Sequence, residues 1–138
     1  MIVLDTNVLS ELMRSDPDPR VLAWLDRQAA QSVWITSVTL FECRLGLALL
    51  PSGRRRAALT RAFEDLLGKD LENRVLPFDS AAAAESAELA ASRQRAGRPV
   101  DMRDTQIAGI VQARRGTLVT RNTRHFEDLR VEVVNPWG

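Results

Sequence analysis

Short runs of β-branched and aliphatic residues alternate with longer stretches of helical periodicity along the whole chain. We predict a strand for each of the short runs, at residues 2–4, 33–35, 74–76, 117–120 and 131–134. We predict helices at residues 8–13, 19–28, 38–50, 53–67, 80–96 and 101–115. Strands separated by helices are typical of βαβ crossovers, which build a parallel sheet covered on both faces. The sequence therefore predicts an α/β fold, a three-layer α/β/α sandwich with a central, mainly parallel sheet.

Polar and glycine residues mark the ends of the predicted helices. Asp18, Thr36 and Asp79 each stand where a side chain can cap the first turn of a helix, and a proline follows Asp18 at the first helical position. Gly97 and Gly116 each follow a helical stretch, as residues that end helices commonly do. We therefore expect these five residues to be helix boundaries.

Length and composition limit the classes of protein that fit. A chain of 138 residues fits one domain, which we assign to residues 1–138. It has no apolar stretch long enough to span a membrane, and its start lacks the basic region of a signal peptide, so we expect a cytoplasmic protein without a membrane partner. Cys43 is the single cysteine and His125 the single histidine, so any metal site must be made of oxygen ligands.

Three carboxylates stand beside apolar residues or at the ends of predicted elements. Asp5 directly follows the first strand, Glu42 lies within a predicted helix, and Asp104 lies in the first turn of another. Ligands bind at the carboxyl ends of parallel strands, so Asp5 is a candidate metal ligand or catalytic group. Half-buried acids are costly unless they are paired or bind a metal. We interpret the three as one candidate site.

A divalent cation would relieve the repulsion between carboxylates that lie close together. Mg²⁺ prefers hard oxygen ligands and retains several waters, and Mn²⁺ is an alternative with similar preferences. A metal-bound water can attack a phosphodiester. Because this chemistry needs acids and neither His nor Cys, it matches the residues that the chain offers.

Each acid also has a structural interpretation, and these alternatives stay open at the level of the sequence. Asp5 can accept hydrogen bonds within an Asp-Thr-Asn turn. Glu42 can form a structural ion pair with Arg44 or Arg14. Asp104 can act only on the dipole of its own helix.

A second predicted strand also ends in polar residues. Thr120 and Asn122 follow the strand that comes after the Asp104 helix. Two strand ends that face one crevice can bring Asp5, Thr120 and Asn122 beside Asp104. Thr120 and Asn122 can equally be ordinary loop residues.

Four segments in this order resemble the motifs of PIN-domain ribonucleases, namely LDTNVLSEL, TSVTLFECRLG, DMRDTQIAGIV and LVTRNTRHFEDL. With the final VVNPW, the resemblance covers essentially the whole chain and is strongest to the VapC and FitB type of toxin. It implies a Mg²⁺-dependent endoribonuclease that hydrolyses RNA as the toxin of a toxin-antitoxin pair. It also implies a cognate antitoxin and a homodimer.

By this resemblance, Asp5 and Asp104 correspond to the principal metal ligands of the family. Glu42 corresponds to a ligand through water or to a proton acceptor. Asn7 and Thr120 are supporting residues, with Thr120 orienting Asp5 or a water. The supporting residue Asn122 stands where the family often has a fourth acid, so one firmly held metal is expected.

Arginines are concentrated in the last third of the chain, where nine face four acids between residues 92 and 130. Arginine makes planar bidentate contacts with phosphate, and we predict that Arg121 and Arg124 contact RNA phosphates. Solvated helix faces would explain the same composition.

Three other functions fit the residues less well than a nuclease does. Haloacid-dehalogenase-like phosphatases need a second Asp where this chain has Asn7. A cysteine nucleophile is also disfavoured, because Cys43 has no base nearby in the sequence, and we interpret it as a core residue. We interpret His125 as a surface residue in a loop. An inactive PIN-like module that only binds antitoxin or RNA is the remaining alternative, and it is disfavoured by the presence of all three acids.

Overall fold

Five short strands and six α-helices alternate along residues 1–138, all of which the computed structural model describes. The strands are β1 (Ile2–Leu4), β2 (Val33–Thr36), β3 (Val75–Leu76), β4 (Thr117–Val119) and β5 (Val133–Val134). The helices are α1 (Thr6–Leu12), α2 (Pro19–Asp26), α3 (Ser37–Leu49), α4 (Arg54–Asp65), α5 (Ser80–Arg95) and α6 (Met102–Arg114). Short 3₁₀ turns at Ala30–Ser32 and Thr123–Phe126 and a π-helical turn at Leu66–Asp70 complete the chain. None of the helices has the length and apolar character that crossing a membrane requires.

All five strands pair in parallel, in the order β3-β2-β1-β4-β5. β1 is therefore the central strand, and the register pairs Leu4 with Val119 at its carboxyl end. Consequently the residues after β1 and β4 lie side by side at one edge of the sheet. The predicted α/β sandwich with a parallel sheet is confirmed.

Successive strand side chains point into two separate apolar cores. Leu4 and Val119 belong to the core beneath the helices α1 to α4, whereas Val3 and Leu118 belong to the core beneath α5 and α6. All four side chains are at most 1% exposed, as expected of strands covered on both faces. This alternation builds the three layers.

The predicted N-caps are confirmed, because Asp18, Thr36 and Asp79 each accept a hydrogen bond from a backbone N–H in the first turn. Gly97 has a φ of +71° just after α5, as predicted for a helix end. The helix end predicted at Gly116 is also confirmed, because α6 ends at Arg114 and the Gly116 N–H donates to the carbonyl oxygen of Val111.

The left-handed residue that ends α6 is Arg115, with a φ of +54°, rather than Gly116. Gly116 instead lies against the start of β1, where an added Cβ would be 3.3 Å from the carbonyl oxygen of Met1. The glycine is thus used for close approach to the neighbouring chain, while the arginine adopts the conformation that glycine favours.

Several element boundaries differ from the prediction. α1 begins at Thr6 instead of residue 8, because the Asp5 carboxylate caps it by accepting a hydrogen bond from the Thr6 N–H. The helix predicted over residues 53–67 ends as an α-helix at Asp65 and continues as the π-helical turn. β5 is also shorter than predicted, covering only two residues.

Candidate active site

Asp5 lies at the carboxyl end of β1, next to Thr120 at the end of β4. The Asp5 N–H donates to the carbonyl oxygen of Val119 at 2.8 Å, which continues the pairing of the two strands. The Thr120 hydroxyl donates to Asp5 Oδ2 at 2.7 Å, and the Thr6 N–H donates to Oδ1 at 2.8 Å. Each carboxylate oxygen therefore has at least one donor from the protein, and the residue is only 4% exposed.

Burial raises the pKa of Asp5 from 3.8 to about 6. The hydrogen bonds from Thr120 and Thr6 lower the pKa, but they do not outweigh the loss of hydration. The negative charges of Asp104 and Glu42 raise it further. The three acids are thus close enough for their charges to interact, and a positive charge between them would favour ionised Asp5.

Glu42 reaches the same edge of the sheet from the second turn of α3. Its Oε1 accepts a hydrogen bond from the Thr6 hydroxyl at 2.8 Å, and Thr39 Oγ1 lies 3.0 Å from that hydroxyl. Its Oε2 lies 3.6 Å from an Arg103 nitrogen. The carboxylate is therefore anchored at one oxygen by α1, and a residue of α6 supplies a cation near the other.

The alternative ion pairs considered for Glu42 are wrong. Arg44 pairs with Glu64 on α4, and Arg14 pairs with Glu11 from the helix that precedes it. Both arginines are therefore engaged with other acids, which leaves Glu42 facing the site.

Asp104 lies in the first turn of α6, but it does not cap that helix. Asp101 does so, by accepting a hydrogen bond from the Asp104 N–H at 3.0 Å. The Asp104 carboxylate instead has its Oδ2 3.4 Å from His125 Nδ1. Burial and the charge of Asp101 raise the pKa of Asp104, and the contact with His125 opposes this shift. Asp104 is thus oriented by more than the dipole of its helix.

The two asparagines surround the Thr120 hydroxyl. Asn7 Nδ2 lies 3.3 Å from Thr120 Oγ1 and 3.5 Å from Asp5 Oδ2. The Asn122 N–H donates to Thr120 Oγ1 at 3.1 Å. Thr120 therefore accepts from both neighbours while it donates to Asp5, and the network fixes the direction of its proton.

The donor chemistry of the site fits a hard divalent cation. No three acidic, histidine or cysteine side chains converge closely enough to bind one ion together directly. Mg²⁺ is commonly held by one or two carboxylates and several waters, so three acids that share a space without forming a closed cage suit it. Because Asn122 stands in place of a further acid, this edge of the sheet has no second group of acids that could bind another cation.

The two arginines predicted to contact RNA occupy different environments. The Arg121 guanidinium lies over the Trp137 ring, 4.9 Å from its centroid. Arg124 lies in the 3₁₀ turn beside Asp104 and forms no ion pair or side-chain hydrogen bond. Both side chains are exposed. Arg124 is therefore the less engaged of the two cations.

Sequence reasoning missed several residues that shape the site. Thr6 and Thr39 link Glu42 to α1, and Arg103 supplies its cation. His125, predicted to be a surface residue in a loop, is exposed but lies in a 3₁₀ turn and contacts Asp104. The one feature of the sequence that could have drawn attention to His125 is that it is the single histidine of the chain. For Arg93 the sequence contains no such signal, because its partner Asp128 lies 35 residues away along the chain.

The α/β fold, with acidic side chains at the carboxyl edge of its parallel sheet, defines the class of protein to which this chain belongs. The family model for the PIN domain matches residues 2–132, and the chain belongs to that family. It is 39% identical to VapC ribonuclease Y4jK of Sinorhizobium fredii over 137 residues, covering 99% of this chain and 98% of the relative. It is 37% identical to toxin FitB of Neisseria gonorrhoeae over 137 residues, covering 99% of both chains.

A solved structure also resembles this chain in its fold. The structure of FitAB bound to an IR36 DNA fragment superposes with a TM-score of 0.90 at 37% identity, covering 100% of this chain and 96% of that chain. The predicted resemblance to PIN-domain proteins of the VapC and FitB type is confirmed.

Proposed function

We propose that this protein is a Mg²⁺-dependent endoribonuclease and the toxin of a toxin-antitoxin pair. The observation that carries the proposal is the meeting of Asp5, Glu42 and Asp104 at the carboxyl edge of the sheet, close enough for their charges to raise the pKa of Asp5. The similarity to a VapC ribonuclease supports the nuclease activity, and the similarity to the toxin FitB supports the role as a toxin. We also propose that residues 1–138 act as a single PIN-like domain.

Asp5 and Asp104 would hold the cation, with Glu42 binding it through water. When bound, Mg²⁺, or Mn²⁺ in its place, supplies an activated water and stabilises negative charge on the phosphate oxygens. Thr120 and the Thr6 N–H orient the Asp5 carboxylate, so its oxygens need not reorganise when RNA binds.

Glu42 would accept the proton of the attacking water. Its Oε1 is engaged by the Thr6 hydroxyl, whereas Oε2 has only a 3.6 Å contact with Arg103. The Oε2 atom therefore retains capacity for a further hydrogen bond. Arg121 and Arg124 would hold phosphates of the RNA on the exposed side of the site.

The proposed protein partners are a cognate antitoxin and a second copy of the chain. The similarity to the FitAB assembly supports the first of these partners. Exposed apolar side chains on α3 agree with a partner surface, since Phe41 is 57% and Leu49 is 75% exposed. Other apolar side chains of α3, α4 and the π-helical turn are less exposed. Phe63 is fully buried, and Leu45, Leu59 and Leu66 are half-buried. We also propose a cytoplasmic location.

Incubation of purified protein with total RNA, with Mg²⁺ or with EDTA, tests the proposal. We expect wild-type protein to cleave RNA only with Mg²⁺, and Asp104→Asn to lose the activity while keeping its thermal stability. Asp70→Asn is the matched control, because Asp70 is exposed and lies away from the three acids. Absence of cleavage by the wild type, with Mg²⁺ supplied and with RNA still bound, would instead identify an inactive binding module.

A further inference from the structure

A polar cavity of about 210 Å³ opens beside Asp104. Its walls come from three elements, with Arg93 and Arg98 from the end of α5 and the following loop, Asp101 and Asp104 from the start of α6, and Arg124 and His125 from the 3₁₀ turn. No apolar side chain lines it apart from a proline. At about 30 Å³ for each water of liquid volume, the cavity has room for a phosphate group with part of a ribose.

Arg93 is the buried wall of the cavity and gives it a fixed shape. The residue is 4% exposed. Its Nε and Nη2 donate to the two oxygens of Asp128 at 2.8 and 2.9 Å, and Nη2 also donates to the His125 carbonyl oxygen at 2.8 Å. Nη1 donates to Thr105 Oγ1 at 3.2 Å. This buried side chain thereby ties the 3₁₀ turn to α5 and α6.

Two acids line the cavity, Asp101 and Asp104, and Asp104 contacts only His125, whereas Asp101 and the nearby Asp128 are engaged by groups of the protein. Asp101 caps α6, and both oxygens of Asp128 bind Arg93, which holds the pKa of Asp128 below its usual range. Arg98 shares Asp128 at 3.0 Å. Arg124 has no acidic partner within 4 Å, so its charge is available at the mouth of the cavity.

We propose that this cavity binds a phosphate of the RNA strand next to the phosphodiester that is cleaved, through Arg124 and Arg98. The inference rests on the proposed function. Asp104 lines the cavity and also belongs to the group of three acids, so the cavity adjoins the acids, and in the proposed complex one phosphate would lie at the acids and a neighbouring one at the arginines. A second anchored phosphate would favour an RNA strand over a single nucleotide as substrate.

Binding of a fluorescein-labelled single-stranded RNA decamer, measured by fluorescence anisotropy over a range of NaCl concentrations, tests this inference. The protein carries Asp5→Asn, and EDTA is present, so that no cleavage occurs. We expect Arg124→Gln to weaken binding about fivefold at low salt and to reduce the slope of log Kd against log[NaCl] by about 0.7, the value for one phosphate of a single strand. Arg98→Gln should act in the same direction.

Arg95→Gln is the control, because Arg95 is exposed on the last turn of α5 and does not line the cavity. Arg124→Lys should restore most of the salt slope, since it keeps the charge. Effects of Arg124→Gln and Arg98→Gln no larger than that of Arg95→Gln would overturn the inference.

A separate cleavage assay on wild-type protein keeps the two proposals distinguishable. Cleavage by wild-type protein together with unaffected binding by the arginine variants refutes the phosphate site alone. No cleavage together with weakened binding refutes the nuclease proposal and leaves a phosphate-binding cavity.

Discussion

Replacing Asp5 with Asn should stabilise the folded protein at neutral pH when no divalent cation is present. The pKa of Asp5 is about 6 in the folded state because of burial, against 3.8 for the free side chain. Between these values the folded state binds more protons than the unfolded state, so ionisation of Asp5 lowers stability as the pH rises through this window. At about 1.4 kcal/mol for each pKa unit, the cost at pH 7 is about 3 kcal/mol.

Asparagine removes this cost at the expense of one local hydrogen bond. Its single carbonyl oxygen can accept from the Thr6 N–H or from the Thr120 hydroxyl but not from both, and Thr120 Oγ1 already accepts from Asn7 and Asn122, so it cannot also accept from the asparagine NH₂ group. We therefore expect the electrostatic gain to exceed the loss from rearranged hydrogen bonds, which is typically about 1 kcal/mol.

Urea unfolding of wild-type and Asp5→Asn protein in EDTA, at several pH values, measures the effect. Linkage gives a difference in unfolding free energy below about 1 kcal/mol at pH 4 that rises to about 3 kcal/mol at pH 7, before the hydrogen-bond correction. Asp70→Asn, on an exposed residue, should differ from the wild type by less than about 0.5 kcal/mol throughout. A difference between wild type and Asp5→Asn that does not grow between pH 4 and pH 7 would show that burial does not raise the pKa of Asp5.

Two further substitutions test the packing that supports the site. Arg93→Met should lower the unfolding free energy by about 2–3 kcal/mol, because Asp128 loses a bidentate partner, whereas the exposed control Arg95→Met should change it by less than about 0.5 kcal/mol. Gly109→Ala should cost about 1–3 kcal/mol, since its Cβ would overlap Ser86 Oγ and lie 2.8 Å from a main-chain oxygen of α5. Thermal denaturation measures both; an unchanged melting temperature in either would contradict the packing described. Ser86→Ala should recover only part of the Gly109→Ala loss, because the main-chain contact remains.

Local signals in the sequence predict the elements and the parallel sheet, but not the order of its strands. The alternation of strand and helix patterns predicts the parallel sheet, and the cap residues Asp18, Thr36 and Asp79 place the helix starts. These features depend on neighbours within four residues, so they can be read without tertiary structure. The sequence alone does not predict that Arg115, rather than Gly116, adopts the left-handed conformation. This depends on how closely β4 approaches Met1.

The partners of the site residues depend on contacts between distant parts of the chain. The sequence places Asp5 at a strand end, but the Thr120 hydroxyl reaches it across 115 positions through the register of β1 and β4. The Thr6 contact with Glu42 likewise requires α1 to pack against α3. Arg93 resembles any helix-face arginine until α5, α6 and the 3₁₀ turn are assembled around it.

A titration with Mn²⁺, followed by electron paramagnetic resonance of the free ion, tests the central claim that Asp5, Glu42 and Asp104 form a cation site. We predict one Mn²⁺ for each wild-type chain, and affinity at least about tenfold weaker in Asp5→Asn and in Asp104→Asn, equivalent to about 1.4 kcal/mol for each lost carboxylate. Asp70→Asn should bind as the wild type does. Affinity that is unchanged by both site substitutions, in folded protein, would show that these carboxylates do not bind the cation.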